Sequence, residues 1–369
     1  MPVEAHDAFT LILEPVKRCN LSCRYCYSDG AGAGVMSPQT LKTALEKTAR
    51  YAQGQGFREI HLLWHGGEPL LAGLGFFRAA IKILHGLASD LRFHHYLQTN
   101  GLLLDHDFGA FFHDHEFQIG VSLDGPQALH DSMRVDAHGQ GSHAAVLGKV
   151  RLLEQQGVSV GFNAVVTRRS LGQEKAIYRF FQGLGYGFRV NPMIPGRNPE
   201  TSAPYLLQPG EYGAFLCRLF DAWASTEGRR VAVSPLNLYL EAIAGGVPYE
   251  CQQRRTCAGS HLGVRPSGDV VLCSRFETPP LGNIHHREIQ ELLTLPFCED
   301  IRRRAETLSD CHTCMYRPIC HGGCPLNAMV FCQDHMAKDP FCKDYQLIFA
   351  RIHRALADMH SKSQASPEP

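Results

Sequence analysis

Residues 9–26 read FTLILEPVKRCNLSCRYC, a mostly apolar run followed by three cysteines, Cys19, Cys23 and Cys26. The apolar part, 9–18, predicts a buried strand that ends at a cysteine loop. Three thiolates can hold three irons of a [4Fe–4S] cluster, which normally takes four cysteines. The remaining iron is then open to a small molecule, and an open metal position is typical of a site of chemistry. Three structural or zinc-binding thiols are the alternative, although the sequence supplies no clear fourth ligand nearby.

The composition limits the class of protein. The chain has 369 residues, of which 44% are hydrophobic, so it can bury a substantial core. Lys+Arg and Asp+Glu both number 36, so no net charge attracts nucleic acid or a membrane surface, and we expect neither as a partner. The sequence has no long apolar span and no signal-peptide pattern, which favours a cytoplasmic protein.

Fourteen cysteines are many for a cytoplasmic chain, in which clustered cysteines more often bind metal than form disulfides. Three lie in the first loop, Cys217 is isolated, and ten fall between Cys251 and Cys342. This asymmetry predicts an N-terminal region with one metal site and a C-terminal region with several. Cys217 lies on an apolar helical face and reads as a buried small hydrophobe, whereas Cys298 and Cys332 have no assignment.

Strand and helix patterns alternate over the first half of the chain. Alternation of this kind indicates a parallel sheet, either open and doubly wound or curved into a partial barrel, with its active site at the carboxyl ends of the strands. The cysteine loop follows the first strand and therefore lies at that end. The predicted strands are 9–18, 59–65, 92–100, 118–124, 158–167 and 187–195, and the predicted helices begin at Pro38 and cover 73–87, 108–114, 143–157 and 175–185.

The second half of the chain has fewer regular patterns. We expect a helix over 211–225, a short helix within 234–246 and a β-hairpin over 264–273. An amphipathic helix follows Cys342, and the polar tail, 361–369, is expected to be disordered.

Two motifs carry a resemblance to a known family. The Cys-x3-Cys-x2-Cys spacing, with Tyr25 before the last cysteine, resembles the cluster loop of the radical S-adenosylmethionine (SAM) enzymes, in which SAM chelates the open iron. The sequence Gly66-Gly67-Glu68-Pro69, after the second strand, resembles the family motif that contacts the SAM amino group. Its two glycines allow the backbone to approach a ligand closely.

The same resemblance extends to polar residues near other strand ends. It implies that Asn100 and Ser122 contact the methionyl and ribose parts of SAM and that Arg134 pairs with the SAM carboxylate. Tyr25 is carried over as a residue of the same cofactor site. An ordinary capping or surface role is the alternative for each.

The C-terminal cysteines resemble the SPASM extension of radical SAM enzymes that modify peptides and proteins. In its two-cluster form, this extension binds two [4Fe–4S] clusters with four cysteines each, which would make three clusters in the chain. The resemblance implies that the first auxiliary set is Cys251, Cys257, Cys273 and Cys324. It implies that the second auxiliary set is Cys311, Cys314, Cys320 and Cys342. A pair of structural zinc sites, in a zinc-stabilised binding module, is the alternative because Cys-x2-Cys is a common zinc signature.

The expected fold class is α/β: a partial (β/α)6 barrel with a C-terminal, cysteine-rich, SPASM-type iron–sulfur domain. We expect four regions in the chain. They are a radical SAM barrel over 1–228, a linker helix over 229–250, an auxiliary cluster domain over 251–345, and a C-terminal helix with a disordered tail over 346–369.

Apart from its tail, the chain resembles the anaerobic sulfatase-maturating enzymes and the related maturases of ribosomally made peptides. The resemblance implies that an electron from a reductant such as flavodoxin or ferredoxin cleaves SAM to a 5′-deoxyadenosyl radical. That radical would abstract a side-chain hydrogen from a precursor peptide. Because the cysteine loop begins within the first twenty residues, we expect no added N-terminal leader-binding domain. Recognition of the peptide then falls to the barrel, the C-terminal region or a separate leader-binding partner.

One position departs from the sulfatase-maturating pattern. Those enzymes have an aspartate, the proposed base, directly after the third C-terminal cysteine, whereas this chain has Ser274. A serine hydroxyl is too weakly basic for that role, and Asp269 or Glu277 are weak candidates to replace it. Residues 121–146 also resemble maturases that join an aromatic ring to a neighbouring β-carbon. The sequence therefore favours a cyclophane-type cross-link, with formylglycine formation as the alternative and a non-catalytic iron–sulfur electron carrier as a lower one.

Overall fold

The computed structural model describes residues 8–28, 30, 34–87, 90–196, 198–246, 250–275 and 278–365. Of the predicted site residues, Glu277 lies outside these ranges, as do the last residues of the predicted tail, 366–369.

Ten strands form one sheet, in the order β10-β9-β8-β1-β2-β3-β4-β5-β6-β7. Strands β1 to β7 run parallel and in sequential order, as does β8 beside β1. Right-handed crossovers between sequential parallel strands place their helices on one face, which is the arrangement of a barrel and not of a doubly wound sheet. The strands are β1 Ala8–Val16, β2 Glu59–Gly66, β3 Arg92–Thr99, β4 Gln118–Ser122, β5 Val160–Val166, β6 Phe188–Pro192, β7 Val233–Ser234, β8 His261–Val264, β9 Asp269–Val271 and β10 Gly282–Asn283.

Fourteen α-helices connect and cover these strands in the described residues. They are α1 Pro38–Gln55, α2 Leu74–His85, α3 His106–Asp114, α4 Gln127–Asp131, α5 His143–Gln155, α6 Glu174–Leu184, α7 Pro199–Ser202, α8 Glu211–Ala224, α9 Leu236–Ile243, α10 Ile289–Leu293, α11 Pro296–Thr307, α12 Arg317–Cys320, α13 Pro325–Cys332 and α14 Cys342–Ala365.

The six strands predicted in the first half are all present, and five of them end one to three residues earlier than expected. The residues directly after β1, β3 and β5 are polar, and after each strand the chain leaves the sheet to form loops at its carboxyl end. These loops carry several of the predicted site residues, so the early strand ends have a direct bearing on the site.

The two faces of the sheet differ in character. Successive side chains of a strand point to opposite faces. In β2, Ile60, Leu62 and Trp64 are buried in the core beneath the helices. Their neighbours His61 and His65 lie on the other face, which we call the inner face, and are only partly buried. The main core is therefore between the sheet and its helices, and polar side chains collect on the inner face.

The auxiliary region shares the sheet of the barrel. The hairpin predicted over 264–273 is present, because β8 and β9 pair antiparallel around a turn. The sequence did not indicate that β8 also pairs in parallel with β1, from Thr10↔His261 to Leu13↔Val264. At the other edge, β7 lies inside the segment predicted to be a linker helix, 229–250, together with α9. A strand of two residues is too short to leave a hydrophobic period.

The C-terminal helix is longer than predicted. Helix α14 continues to Ala365, so the expectation of disorder was wrong for 361–365. Between Cys342 and Ala365 the sequence has no glycine or proline that would stop the helix. Ser361 donates its hydroxyl hydrogen to the carbonyl of Ala357, one turn earlier. Within the described residues, every helix is too short or too polar to cross a bilayer.

Candidate functional site

The three N-terminal thiols lie together in the loop after β1. Burial is the main cause that raises the pKa of the Cys19 and Cys23 thiols. The charges of nearby thiols in the same loop raise both pKa values further. For Cys23 the pKa reaches about 12. The amide of Leu21 donates to Sγ of Cys19 at 3.4 Å. Metal binding would be needed to keep such closely spaced thiols deprotonated.

The close approach of Gly67 to the cysteine loop explains why this position is glycine. Its amide donates to the carbonyl of Val16 at 3.0 Å. A Cβ atom on Gly67 would lie 2.2 Å from the carbonyl oxygen of Lys17 and 2.3 Å from that of Arg18. Backbone atoms cannot yield to such an overlap. Gly66 has a φ of 111°, which also favours glycine.

Glu68 has a structural role in this arrangement. Its side chain is fully buried, and its Oε1 accepts hydrogen bonds from the hydroxyl of Thr99 at 2.7 Å and the amide of Leu70 at 3.1 Å. Its Oε2 accepts from the amide of Asn100 at 2.8 Å. Burial raises the pKa of Glu68 to about 7. The carboxylate thus ties the end of β2 to the end of β3, and Pro69 opens a short, buried 3-10 turn behind it.

Asn100 connects the end of β3 to the cysteine loop. Its Nδ2 donates to Oδ1 of Asn20 at 2.8 Å and to Sγ of Cys19 at 3.6 Å. Its Oδ1 accepts from the amide of Leu102 at 3.0 Å, which fixes the orientation of the side chain. An amide donor is therefore directed at a sulfur that is a predicted cluster ligand.

Tyr25 and Arg134 share a carboxylate partner within the chain, Asp124. The phenol of Tyr25 donates to Oδ2 of Asp124 at 2.6 Å. The guanidinium of Arg134 donates to both carboxylate oxygens, at 3.0 and 3.2 Å, and lies 5.3 Å from the centre of the Tyr25 ring. The expected carboxylate partner of Arg134 was that of SAM; in this structure the partner is Asp124.

Ser122 belongs to a polar row on the inner face. Its hydroxyl accepts from Nε2 of Gln98 at 2.9 Å, and Asn163 donates to the other end of the Gln98 amide. The strand register places Ser122 beside Asn163. Next to this row, Gly120 and Gly161 are opposite each other, and a Cβ on Gly161 would meet no atom within 4 Å. The inner face therefore has both hydrogen-bonding groups and open space.

The first auxiliary set is brought together by the fold. The pKa of the Cys257 thiol is raised well above its usual value by burial and then by the charges of Cys324, Cys251 and Cys273, in that order. Burial also raises the pKa of Cys273 to about 11 and that of Cys324 to about 12. Four residues that are spread over 251–324 thus have neighbouring thiols.

The second auxiliary set lines a small cavity beside α14. Burial raises the pKa of the Cys342 thiol. The charge of Lys338 lowers this pKa, and the charges of Cys311 and Cys314 raise it further. Burial raises the pKa of Cys320 to about 12. All four thiols of this set, Cys311, Cys314, Cys320 and Cys342, border the cavity.

Arg304 and Asp339 hold the segment between the two auxiliary sets. The guanidinium of Arg304 donates to the carbonyls of Gly322 and Gly323 at 3.0 and 2.8 Å. The carboxylate of Asp339 accepts from the amide of Cys324 at 2.7 Å. Cys320 and Cys324 belong to different sets, so these buried side chains fix the positions of the sets relative to each other.

Three cysteines are outside these sets, although the charge of Cys298 also raises the pKa of Cys257, after burial and the thiols of the first auxiliary set. Cys298 is fully buried in the main core, and its thiol donates to the carbonyl of Leu292 at 3.6 Å. Cys332 is exposed at the end of α13. Cys217 packs against the main core from α8, as expected of a small hydrophobe, but it is half-buried and therefore more exposed than predicted.

The candidate base Asp269 is not placed for that role. Its carboxylate accepts hydrogen bonds from the hydroxyl of Ser267 at 2.7 Å and from Nδ2 of Asn283 at 3.1 Å, within the β8–β9 turn. It stabilises a turn, as short polar side chains in turns commonly do. Glu277, the other candidate, lies outside the described residues.

A buried carboxylate that the sequence analysis did not single out lies close to both cysteine regions. Glu14 is 5% exposed on β1, and its charge raises the pKa of Tyr27 and of Cys273, after burial as the main cause. The phenol of Tyr27 donates to the carbonyl of Ser274 at 3.3 Å. The Ser274 hydroxyl is itself buried without a hydrogen-bond partner in the described structure and packs over Gly263 on β8. In the sequence, the feature that could have indicated Glu14 is its position as the one acidic residue of an apolar strand.

Comparison with known proteins identifies the family. Residues 13–180 match the radical SAM superfamily, and residues 251–315 match the SPASM iron–sulfur cluster-binding domain. The chain is 30% identical over 333 residues to a serine-type anaerobic sulfatase-maturating enzyme of Klebsiella aerogenes, covering 87% of this chain and 81% of that one. It is 25% identical over 360 residues to a cysteine-type anaerobic sulfatase-maturating enzyme of Clostridium novyi (strain NT), covering 93% and 95%.

A solved structure agrees with these relatives. The structure of native anSMEcpe with bound AdoMet and Cp18Cys peptide has a TM-score of 0.85 and 25% identity, covering 96% of this chain and 99% of that one. The chain belongs to the radical SAM superfamily with a SPASM domain, in the family of the anaerobic sulfatase-maturating enzymes. It is therefore an enzyme and not an electron carrier, and SAM and iron–sulfur clusters are its cofactors.

Proposed function

We propose that this enzyme oxidises a cysteine or serine side chain of a peptide to formylglycine. Relatives of both the cysteine type and the serine type support this function over the cyclophane-type cross-link that the sequence analysis favoured. The observation that carries the proposal within the chain is the buried carboxylate of Glu14, close to Cys273 and Tyr27. It supplies a base near the place where the family's aspartate is replaced by Ser274.

The donor sets of the chain fit three [4Fe–4S] clusters. Cys19, Cys23 and Cys26 would hold the cluster that binds SAM, and the two auxiliary sets of four cysteines would hold the others. When bound, SAM and the three clusters supply an abstractor of hydrogen atoms and an acceptor of electrons. A flavodoxin or ferredoxin is proposed as the reductant. The thiols of each set are close enough to raise one another's pKa, and this grouping supports the assignment.

The balance of the reaction requires a base. Conversion of a CH2–OH side chain to an aldehyde removes one hydrogen atom from Cβ, one proton from oxygen and one electron. A cysteine gives a thioaldehyde by the same balance, and water then releases hydrogen sulfide. We assign Glu14 as the group that accepts this proton from the substrate. A carboxylate kept from bulk water is an effective proton acceptor, whereas a serine hydroxyl is not.

The inner face provides a place for the peptide. Open space at Gly161 adjoins the hydrogen-bonding row of Gln98, Ser122 and Asn163. A peptide backbone needs such donors and acceptors when it leaves water. The resemblance to a peptide-bound structure over almost the whole chain supports this location. Substrate recognition could then involve a separate leader-binding partner in addition to the barrel, and a cytoplasmic location remains our expectation for such an enzyme.

A cross-link between side chains of a ribosomally made precursor is the second candidate. Ser274 favours it, because the sulfatase-maturating enzymes have an aspartate at this position. A cross-link also removes two hydrogens from the peptide, so mass alone does not separate it from the oxidation of serine.

The test uses anaerobically reconstituted enzyme, SAM, a reductant and two peptides. One peptide contains the modified cysteine or serine of a sulfatase, and the other contains an aromatic residue beside aliphatic side chains. A product that reacts with hydrazines demonstrates the aldehyde and supports formylglycine. A product lighter by two hydrogens that is inert to hydrazines supports the cross-link, and the absence of both products overturns both functions.

Glu14→Gln tests the proposed base. We expect 5′-deoxyadenosine to form in this variant while the yield of aldehyde falls by roughly 100-fold, in the range for loss of a general base. Glu46→Gln, at a partly exposed position of α1 where the carboxylate pairs with Lys42, is the matched control. Normal aldehyde formation by Glu14→Gln would exclude the assignment of Glu14 without excluding the reaction.

A further inference from the structure

Three metal-binding side chains meet at the end of the barrel opposite the cysteine loop. Glu59, His61 and His94 each offer a ligand atom, and these atoms lie within 4.8 Å of one another. Glu59 is the first residue of β2, and His94 is near the start of β3. The group is thus at the amino ends of the strands, away from the predicted SAM site and from the cysteines of the first loop.

The strand geometry accounts for this meeting. Glu59 and His61 are two residues apart in β2, so both side chains are on the inner face. In the parallel register, His61 is beside His94 and Glu59 is beside Arg92. The rings of His61 and His94 have centres 5.3 Å apart and are nearly perpendicular. The sheet therefore directs two imidazoles and one carboxylate toward the same point.

The distances suit a single small cation. Oε2 of Glu59 lies 3.5 Å from Nε2 of His94 and 3.9 Å from Nε2 of His61. Ligand atoms at about 2.1 Å from a tetrahedral zinc ion are about 3.4 Å apart, by geometry from the usual bond lengths. Small side-chain rotations would close the difference.

Two further contacts prepare the group for an ion. Arg92 donates from Nη2 to Oε1 of Glu59 at 2.6 Å, which orients the carboxylate so that Oε2 faces the histidines. Outer partners of this kind commonly orient metal ligands. Nε2 of His94 is shielded from solvent and has no hydrogen-bond partner among the described residues, because its contact with Glu59 lacks hydrogen-bond geometry. A shielded ring nitrogen of this kind is most simply satisfied by a metal ion or a proton shared with the carboxylate.

We propose that Glu59, His61 and His94 bind a divalent transition-metal ion, with zinc as the cation that best fits two imidazoles and one carboxylate. Three protein ligands leave a position for water. Nitrogen and oxygen ligands make this site chemically distinct from the cysteine sets, which favour iron–sulfur clusters. The ion would join the amino ends of β2 and β3. Arg254, between Cys251 and Cys257, is close enough for its charge to lower the pKa of His61, after burial and His94 as larger causes, so the site also lies near the first auxiliary region.

The experiment uses tag-free enzyme with intact clusters, equilibrated anaerobically against buffered free zinc. Zinc and iron are measured per chain by mass spectrometry. We expect one zinc per wild-type chain in addition to the cluster iron. The double variant His61→Ala/His94→Ala is expected to lose the zinc and keep the iron. The matched control, His85→Ala/His113→Ala, changes two exposed histidines and is expected to keep both metals.

X-ray absorption at the zinc edge identifies the ligands directly. A first shell of nitrogen and oxygen supports the site, whereas a shell containing sulfur shows that zinc has entered a cysteine set and overturns the proposal. Retention of zinc by the double variant, or no zinc in the wild type, also overturns it. Glu59→Gln preserves the shape of the carboxylate side chain and is expected to weaken zinc binding by at least tenfold, which provides the test if the double variant does not fold.

Discussion

The phenol of Tyr25 and the carboxylate of Asp124 are joined by a 2.6 Å hydrogen bond, although 99 residues separate them in the chain. Asp124 also accepts from Arg134 and from the amide of Val165 at 2.9 Å. A single buried carboxylate therefore connects the cysteine loop to the ends of β4 and β5.

Replacement of this carboxylate tests its importance. Asp124→Asn leaves the buried guanidinium of Arg134 without a charged partner, a loss that costs roughly 3–5 kcal/mol in comparable buried pairs. We expect a large fall in the thermal midpoint measured by anaerobic scanning fluorimetry. Tyr25→Phe removes one charge-assisted hydrogen bond, at a cost of roughly 1.5–3 kcal/mol, and should have a smaller effect. Asp107→Asn, at an exposed position of α3, is the control and should leave the midpoint almost unchanged.

The contact of Gly67 with the cysteine loop gives a second prediction. Gly67→Ala places a methyl group within 2.3 Å of two backbone carbonyls and must displace the loop. We expect the variant to lose the iron of the first cluster, four atoms per chain for a [4Fe–4S] cluster, and to keep the auxiliary iron. Iron analysis and electron paramagnetic resonance with and without SAM measure this. Gly75→Ala adds a methyl group in open space on α2 and should keep all the iron. Full iron content in Gly67→Ala would contradict the prediction.

The hydrogen bond from Asn100 to Cys19 should influence the reduction potential. Donors to cluster sulfurs stabilise the more negative, reduced cluster, and they are one of the factors that set its potential. Asn100→Ala is expected to lower the potential of the SAM-binding cluster and to leave the auxiliary clusters unchanged. A redox titration monitored by electron paramagnetic resonance separates the signal of the SAM-binding cluster from those of the auxiliary clusters. The control is Asn163→Ala, which alters the inner face without contacting a cysteine in the described structure; an equal shift in both variants would indicate an indirect effect.

The interleaved auxiliary sets give a prediction about stoichiometry. Cys324→Ala is expected to lose one auxiliary cluster, and Cys342→Ala the other. Mössbauer spectroscopy of each variant, reconstituted with ⁵⁷Fe, would show one cluster missing in each and different clusters in the two. Cys332→Ala changes an exposed thiol outside both sets and should keep every cluster. Loss of the same cluster in both ligand variants would show that the assignment of the sets is wrong.

His95 should make the fold sensitive to acid. It stacks on Phe117, with ring centres 4.5 Å apart, and burial is the first cause that lowers its pKa to about 4. The folded state therefore favours the neutral ring more than the unfolded state does, since the ordinary value is 6.5. The resulting stability is fully present above about pH 6.5 and is lost as pH falls from there toward 4, by about 1.4 kcal/mol per pH unit.

The measurement is the thermal midpoint between pH 8 and pH 5.5, with cluster absorbance monitored at each pH. His95→Phe has no titrating ring, so we expect its midpoint to fall less steeply over this range than that of the wild type. His113→Ala, an exposed position of α3, should retain the wild-type slope. A His95→Phe slope equal to that of the wild type would show that His95 does not contribute.

The local patterns of the chain were sufficient for much of the fold. The alternation of strands and helices predicted β1 to β6, whereas the two auxiliary cysteine sets followed from the resemblance to the SPASM extension and not from a local pattern. The pairing of β8 with β1 was not predictable, because contacts between residues 251 positions apart leave no local period. Glu14 was missed because its neighbours are apolar and the segment was interpreted only as a strand. Glu59 and His61 did have a signal, since both occupy the polar positions of an alternating strand.

The choice of a candidate base shows where closeness in the sequence is misleading. Asp269 and Glu277 are close to Ser274 in the sequence, whereas the proposed base, Glu14, comes from the other end of the chain. Proximity along a loop is a weak guide when a hairpin turn, as at Asp269, already uses the carboxylate. The proposal of Glu14 therefore rests on proximity in the folded chain and not on proximity in the sequence.

The pairing of β1 with β8 also affects how the protein would fail. If oxygen destroyed the auxiliary clusters and the C-terminal region came loose, β1 would lose one neighbour and become an exposed edge. Its sequence, AFTLILEPV, is long and apolar, which is the kind of edge that recruits strands from other molecules. Air-damaged enzyme should therefore precipitate and not persist as a dispersed apoprotein, so the iron of one region protects the solubility of the other.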